Sequence, residues 1–441
     1  MSKLIVTGGT PLYGSVRVGG AKNASYKIMI AALLADSPSR LLNLPAIADV
    51  QLTSEIIRDL GGKADSCGER MLAIDPRGLN KWEVDAKFGQ ASRASTIFLP
   101  VLLAKFGRGS VPLPGGDKIG KRPLERHFAG LQALGAEIKV ENGRITAELP
   151  QKRFQGNTYR FIKNSHTGTE TLLLAAAMAD GITVLENAAQ EPEVLDLVAF
   201  LNTMGAKIEL HGPRSFRITG VPELHGAIYK IMPDRNEVIS YACAAIATKG
   251  DIVVENARPD HLAAFLQKLD DVGAGYQIND YGIRFYYKGP LTATDVTTKI
   301  HPGFMTDWQP LWATLVAHAQ GVSTIHETVM QSRFQYVEPL QQMGAQIELF
   351  APKVENPEEV YNFNLSDDKA DALHALRITG PTQFKGGEFT IHDLRAGATL
   401  LLAALSGEGQ TILHNLEQID RGYEKLDSRL RQLGAKIERV E

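Results

Sequence analysis

The chain has 441 residues, of which 44% are hydrophobic and 22% charged, and its formal net charge is −3. This length allows two or three domains with large cores, and the charge argues against a general nucleic-acid-binding protein. No apolar run reaches the roughly 18 residues that a membrane span needs, and no signal peptide is recognisable, so we expect a cytoplasmic protein. Cys67 and Cys243 lack metal-ligand spacing and are expected to be reduced, partly buried thiols.

An internal repeat organises the chain. A short phrase containing Gly-Ala, or Gly-Gly in its first copy, occurs at residues 60–64, 134–138, 204–208, 272–276, 343–347 and 433–437. An amphipathic pattern precedes each phrase, and an alternating pattern follows it. Each copy therefore predicts a helix, a glycine cap and a strand.

Each repeat also contains an earlier helix of another kind, rich in Ala and Leu and nearly free of charge after its first turn. These helices are predicted at residues 24–35, 95–106, 169–180, 237–249, 308–320 and 396–406. A helix that is apolar on every side is expected to be buried on every side. Short β-branched strands follow, so we predict an α/β (α+β) fold with two clusters of three repeats and a cleft between them.

Charged residues gather at the N-terminal ends of the predicted buried helices. Five of these six ends carry a cation at or near the first turn: Lys22, Arg93, Lys163 with His166, Arg235 and Arg395. The helix dipole is already positive there, so each cation needs a counter-charge. A neighbouring acidic side chain is one source, but five such ends together favour convergent binding of an anionic ligand.

The sixth end carries a carboxylate, Asp307. It is either a helix cap or, among cations, a general base for a hydroxyl group. Two further cations are Arg333 and Arg421. A glycine- and proline-rich segment at residues 114–123 contains Asp117, and by itself this segment is typical of a solvated turn.

Taken together, these motifs make the chain similar to the UDP-N-acetylglucosamine 1-carboxyvinyltransferases, a branch of the enolpyruvyl transferase family, over essentially its whole length. The matching motifs are at residues 20–23, 93–95, 114–116, 119–123, 186–189, 191–193, 232–235, 302–304, 306–307, 393–396 and 419–423. The resemblance implies two inside-out α/β barrels of three repeats each, with an active-site cleft between them. One barrel would comprise residues 22–232 with a mobile loop at 113–124, and the other residues 1–21 plus 233–441.

The implied reaction transfers the enolpyruvyl group of phosphoenolpyruvate to the 3′-hydroxyl of UDP-N-acetylglucosamine and releases phosphate, without a metal or other cofactor. This is the first committed step of peptidoglycan precursor synthesis. The catalytic residues implied by the resemblance are Asp117, Asp307, Lys22 and Arg395. Phosphoenolpyruvate would be bound by Lys22, Arg93, Arg122, Arg395 and Arg421. UDP-N-acetylglucosamine would be bound by Asn23, Arg93, Arg122, Pro123, Leu124, Lys163, Ser165, His166, Asp307 and Val329.

Three alternatives stay open. A 5-enolpyruvylshikimate-3-phosphate synthase has the same fold and donor, but usually has Ser after the first motif's lysine, where this chain has Asn23. A catalytically idle paralogue that binds a UDP-sugar would be expected to have lost Lys22, Asp307 or Arg395. A generic phosphosugar-binding protein would not need Asp117 together with Asp307.

The chain departs from the family pattern at two places. Asp117 stands where most members have cysteine, and it can serve as a general acid if its pKa is raised. Residues 165–170 read Ser-His-Thr-Gly-Thr-Glu where the family usually has Ser-Val-Gly-Ala-Thr-Glu. The second departure lies in a segment that is expected to contact the UDP moiety of UDP-N-acetylglucosamine.

The first departure predicts a difference in drug response. The family's epoxide inhibitor, fosfomycin, forms a thioether with the loop cysteine, and a carboxylate cannot form that bond. We expect the wild-type protein to be insensitive to fosfomycin, and Asp117→Cys to introduce sensitivity. Mass spectrometry after incubation with the drug measures this, and rapid stoichiometric labelling of the wild-type protein would contradict it.

Overall fold

The computed structural model describes residues 2–89, 94–114, 124–369 and 371–440. Its α-helices are α1 (Lys22–Ala31), α2 (Ala48–Asp59), α3 (Ala94–Phe106), α4 (Glu125–Ala133), α5 (His166–Ala176), α6 (Pro192–Thr203), α7 (Arg235–Ala247), α8 (Ala263–Val272), α9 (Gln309–Val316), α10 (Val337–Gln342), α11 (Pro357–Val360), α12 (Leu394–Ser406), α13 (Glu417–Asp420) and α14 (Leu426–Gln432). Short 3-10 turns occur at Ala32–Leu34, Pro76–Gly78, Ala86–Phe88, Pro259–His261 and Leu365–Asp367.

The strands of the described residues are short. In chain order they are β1 (Lys3–Thr7), β2 (Tyr13–Arg17), β3 (Ser39–Leu42), β4 (Lys63–Gly68), β5 (Met71–Asp75), β6 (Arg108–Pro112), β7 (Glu137–Glu141), β8 (Arg144–Glu148), β9 (Thr158–Arg160), β10 (Ile182–Glu186), β11 (Lys207–Leu210), β12 (Phe216–Thr219), β13 (Ile228–Lys230), β14 (Asp251–Glu255), β15 (Gly275–Asn279), β16 (Gly282–Tyr286), β17 (Val296–Thr297), β18 (Gly321–His326), β19 (Gln346–Phe350), β20 (Ala375–Gly380), β21 (Glu388–Thr390), β22 (Gln410–His414) and β23 (Lys436–Val440).

One strand order recurs in the sheets of the described residues. The four-stranded sheets are β13-β3-β5-β4, β9-β10-β12-β11, β2-β14-β16-β15, β17-β18-β20-β19 and β21-β22-β1-β23. In each, the first pair is parallel and the other pairs are antiparallel. The sheet β6-β8-β7 has three strands, and a parallel bridge from Glu83 to Ser110 takes the place of the fourth. The repeat predicted from the Gly-Ala phrases is therefore a repeat of whole sheets.

The described residues divide into two compact units. One contains residues 2–19 and 233–440, and the other lies within residues 20–232. In the first unit, β1 lies between β22 and β23, so the N-terminal strand completes the last sheet of the chain. In the second unit, β13 near its end pairs in parallel with β3 near its start. Each unit therefore joins its own ends through a sheet.

The predicted apolar helices are confirmed as buried helices, and with them the predicted α/β class. In the unit containing residues 233–440, α7, α9 and α12 pack against one another. In the unit within residues 20–232, α1 packs against α3, and α3 packs against α5. Each unit has its own hydrophobic core, in which these helices supply most of the long apolar side chains. In the fifth repeat, the buried helix predicted at residues 308–320 is shorter in the structure, where α9 spans Gln309–Val316.

The two cysteines differ in exposure. Cys243 is buried in α7, and burial raises the pKa of its thiol, whereas Cys67 is exposed rather than partly buried. Separately, none of the helices described is long and apolar enough to cross a membrane.

The glycine of each repeated phrase ends a helix with a positive φ angle, as predicted. Gly273 after α8 has φ of 81°, and its five counterparts, Gly61, Gly135, Gly205, Gly344 and Gly434, also have positive φ. A residue with a Cβ is disfavoured in this left-handed region, and glycine is not. The turn from helix to strand therefore depends on glycine in every repeat.

Gly273 offers a test of this backbone requirement, because a Cβ added there would meet nothing within 4 Å. We expect Gly273→Ala to lower the free energy of unfolding by about 1 kcal/mol, and Gly273→Asn to lower it less, since Asn tolerates the left-handed region. Urea denaturation of the full chain measures both variants. An unchanged midpoint for Gly273→Ala would contradict the assignment.

Candidate active site

The predicted site residues are divided between the two units. Residues 2–19 and 233–440 include Asp307, Val329, Arg395 and Arg421, and residues 20–232 include Lys22, Asn23, Leu124, Lys163, Ser165 and His166. Four further predicted residues, Arg93, Asp117, Arg122 and Pro123, lie outside the described residues.

Asp307 is held between two arginines. Its Oδ1 lies 2.5 Å from Nη2 of Arg333, and its Oδ2 lies 3.1 Å from Nη2 of Arg395. The arginine side chains are 4% and 6% exposed, whereas Asp307 is 21% exposed. The N-cap of α9 is Trp308, which makes no side-chain capping bond, so Asp307 is not the cap of that helix. Asp307 is instead a partly exposed carboxylate that forms a charged site together with the guanidinium groups of Arg333 and Arg395.

Arg395 is positioned by the start of α12 and by a phenol. Asp393 caps this helix and accepts hydrogen bonds from the backbone N–H groups of Arg395 and Ala396. The guanidinium Nη1 donates to the hydroxyl of Tyr423 at 3.0 Å, and that hydroxyl lies 2.8 Å from Oγ of Ser240. Burial raises the pKa of the Tyr423 phenol. Arg421 is the C-cap residue of α13, and α13 packs against α12, the helix that carries Arg395.

A buried carboxylate joins the two loops that carry Asp307 and Val329. Glu327 Oε2 accepts from the hydroxyl of Thr306, the residue before Asp307, at 2.8 Å. Its Oε1 accepts from the hydroxyl of Thr298 at 2.9 Å and from the backbone N–H groups of Val329 and Met330 at 2.8 and 2.9 Å. Burial raises the pKa of Glu327. Glu327 therefore links the loop containing Asp307 to the loop containing Val329 through hydrogen bonds.

Arg235, a further predicted cation, is the first residue of α7 and is buried. Its guanidinium lies over the ring of Trp308 at 5.4 Å, a cation–π contact. Asp234 caps α7, and Glu237 accepts from Arg429, so both acidic neighbours have structural roles.

In the other unit, Lys22 has a carboxylate beside it. It is the first residue of α1, and its Nζ lies 2.7 Å from Oδ2 of Asp49 in the first turn of α2. The α2 dipole favours Asp49 at that position. An internal counter-charge, one of the two sources that the sequence left open, is thus present for Lys22. Asn23 follows it and is half-buried.

The start of α5 brings several other predicted residues together. Ser165 caps α5 by accepting from the backbone N–H of Gly168 at 3.1 Å, and His166 begins the helix. Leu124 is the N-cap residue of α4. Arg126 in that helix donates to the backbone oxygen of Asn164 at 3.3 Å, which links Leu124 to the segment containing Lys163.

Four contacts in the described residues were not predicted from the sequence: those of Asp49, Glu327 and Tyr423, and the pairing of Lys27 with Glu170. A signal existed for the last, because a single charge in an otherwise apolar helix requires a buried partner. For the others the residue types carried no signal, since they come from separate parts of the chain. No group of three or more His, Cys, Asp or Glu within the described ranges is arranged to hold a metal ion.

Comparison with known proteins gives full-length matches. A family model described as EPSP synthase (3-phosphoshikimate 1-carboxyvinyltransferase) matches residues 6–437. UDP-N-acetylglucosamine 1-carboxyvinyltransferase 3 of Caldanaerobacter subterraneus is 40% identical, covering 100% of both chains. UDP-N-acetylglucosamine 1-carboxyvinyltransferase of Koribacter versatilis is also 40% identical, covering 100% of this chain and 97% of the relative.

Solved structures match over the same extent. The enolpyruvyl transferase NikO from Streptomyces tendae has a TM-score of 0.87 at 26% identity, covering 100% of this chain and 99% of NikO. An EPSP synthase from Acinetobacter baumannii has a TM-score of 0.73 at 18% identity, covering 100% of both chains, a likeness of fold.

The four bonds to Glu327 allow a prediction about charge and hydrogen bonding. We expect Glu327→Ala to lower the free energy of unfolding by about 3 kcal/mol, because it leaves buried donors without an acceptor. Glu327→Gln keeps an acceptor, and burial already disfavours the charge, so we expect a loss of about 1 kcal/mol. Chemical denaturation compares the two, and equal losses would show that the charge rather than the hydrogen bonds is required.

Proposed function

The chain belongs to the EPSP synthase family, and we propose that it transfers the enolpyruvyl group of phosphoenolpyruvate to the 3′-hydroxyl of UDP-N-acetylglucosamine, releasing phosphate. Relatives of that name, 40% identical over the full chain, support this acceptor. The structural observation that carries the proposal is the Asp307 carboxylate, partly exposed and held by Arg333 and Arg395.

Phosphoenolpyruvate is a small, highly charged anion, so its binding requires several cations in one site. The proposed set is Lys22, Arg93, Arg122, Arg395 and Arg421. Arg395 is the best supported of these, because α12, Asp307 and Tyr423 together hold its guanidinium in one orientation. A preorganised guanidinium stabilises developing charge without reorganising during the reaction.

The proposed reaction is an addition followed by an elimination. Asp307 accepts the proton of the acceptor's 3′-hydroxyl while that oxygen attacks C2 of phosphoenolpyruvate. Asp117 donates a proton to C3, which gives a tetrahedral intermediate still carrying the phosphate group. Loss of a proton from C3 and cleavage of the C2–O bond to phosphate then restore the alkene and release phosphate. Closure of the loop at residues 113–124 is proposed to shield the intermediate from water.

The residues proposed to bind the acceptor, besides Asp307, are Asn23, Leu124, Lys163, Ser165, His166 and Val329. Asn23 after Lys22, together with the names of the relatives, favours UDP-N-acetylglucosamine over shikimate 3-phosphate. The proposed setting is peptidoglycan precursor synthesis in the cytoplasm.

Phosphate release from phosphoenolpyruvate tests the acceptor directly. We expect phosphate release with UDP-N-acetylglucosamine and none with shikimate 3-phosphate. Activity with shikimate 3-phosphate alone would replace the proposal with the EPSP synthase reaction, and activity with neither would support an idle paralogue.

Two substitutions test the assigned roles. We expect Lys22→Ala and Asp307→Ala to lower kcat by about 10²- to 10⁴-fold. Lys22→Ala removes a cation that binds phosphoenolpyruvate, and Asp307→Ala removes the general base. Lys207→Ala and Asp280→Ala are matched controls at exposed positions and should keep the wild-type kcat. Wild-type turnover by Asp307→Ala would exclude its role as the base.

A further inference from the structure

Two charged residues interrupt the apolar helices α1 and α5, and they meet each other. Nζ of Lys27 lies 2.7 Å from Oε1 of Glu170 and 2.5 Å from its Oε2. Their side chains are 2% and 0% exposed, so the pair is fully buried in the unit within residues 20–232. The same carboxylate also approaches a third group, since Nε2 of His166 lies 3.3 Å from Oε1 of Glu170.

Burial of this ion pair is not explained by a gain in stability. Removing two charges from water costs several kcal/mol each, and an apolar pair of similar volume is often as stable. Although burial opposes both charges, Glu170 keeps the pKa of Lys27 above its ordinary value, and Lys27 with His166 keeps that of Glu170 below. The pair is therefore ionised at neutral pH, and it has a cost that another benefit must offset.

The position of the Lys27–Glu170 pair indicates that the benefit concerns the placement of predicted site residues. Lys27 lies on the helix that begins with Lys22 and Asn23, and Glu170 lies one turn after His166, which begins α5. α1 and α5 each pack against α3 and α6, and the Lys27–Glu170 pair is a direct contact between α1 and α5. Nζ of Lys27 donates a hydrogen bond to Oε1 of Glu170, and such a bond is kept only over a narrow range of axial displacement of one helix against the other.

We propose that the buried Lys27–Glu170 pair is a positioning pair that sets the register of α1 against α5. It thereby sets the separation of Lys22 and Asn23 from Ser165 and His166. The inference rests on the proposed function, in which these residues contact UDP-N-acetylglucosamine. Glu170 contributes a second effect by orienting the His166 imidazole, at a position where the family usually has Val.

The test separates stability from binding. Lys27→Met leaves Glu170 with His166 alone beside it, and Glu170→Met removes the carboxylate that Lys27 contacts, so each should lower the thermal midpoint by about 10 °C. The double variant removes both charges and should return the midpoint to within a few degrees of wild type, about 3 °C. Double-variant binding of UDP-N-acetylglucosamine, measured by isothermal titration calorimetry, should nevertheless be about 10-fold weaker, because the register is no longer fixed.

Two further variants complete the design. Lys105→Met removes a half-buried lysine of α3 that donates to the backbone oxygen of Ala35, and it should keep wild-type binding. His166→Val keeps the ion pair and removes a proposed direct contact to UDP-N-acetylglucosamine, so its loss of affinity measures that contact separately from the register. If the double variant does not fold, Lys27→Arg keeps the charge but lengthens the side chain, and it should fold and bind more weakly.

The outcomes are distinguishable. Wild-type affinity in the double variant, or in Lys27→Arg where the double variant does not fold, overturns the positioning role while the proposed function stands. A wild-type protein that does not bind UDP-N-acetylglucosamine overturns the proposed function and the inference with it.

Discussion

A helix that is apolar on every side must be covered on every side, and this constraint shapes both units. In the unit containing residues 233–440, α7, α9 and α12 cover one another, and the repeated sheets supply further apolar side chains to the same core. Polar groups are then confined mainly to the helix ends. The predicted site residues Lys22, His166 and Arg395 accordingly lie within the first two positions of their helices.

Charges that enter these buried regions are paired within the same unit. Asp307 binds Arg333 and Arg395, Lys22 binds Asp49, and Lys27 binds Glu170. Such pairs cost desolvation energy, and the best-attested benefit of a buried ion pair is that it specifies one arrangement among several. A transferase that must hold an anionic donor beside the hydroxyl group of its acceptor depends on that kind of specification, because small displacements of reacting groups are costly.

The repeat explains why equivalent positions serve different tasks. The sheets share one strand order and the helix starts are equivalent, yet the N-terminal residue is Lys22 in α1, His166 in α5 and Arg235 in α7. The architecture supplies comparable helix N-termini, and the residue at that position differs from one repeat to the next. The fifth repeat is the exception, since its carboxylate, Asp307, lies before α9 and is not its cap.

The sequence by itself determined the repeat, the glycine caps and the six buried helices, because periodicity and glycine placement are local signals that packing reinforces. It also identified Lys22, Asp307 and Arg395 as charges at helix starts. Only the tertiary structure decided their partners, because Asp49, Arg333 and Tyr423 come from other parts of the chain and residue type alone does not predict such contacts. The Lys27–Glu170 pair is intermediate: a charge in an apolar helix indicates that a buried partner exists, but only the packing of the unit decides which residue that partner is.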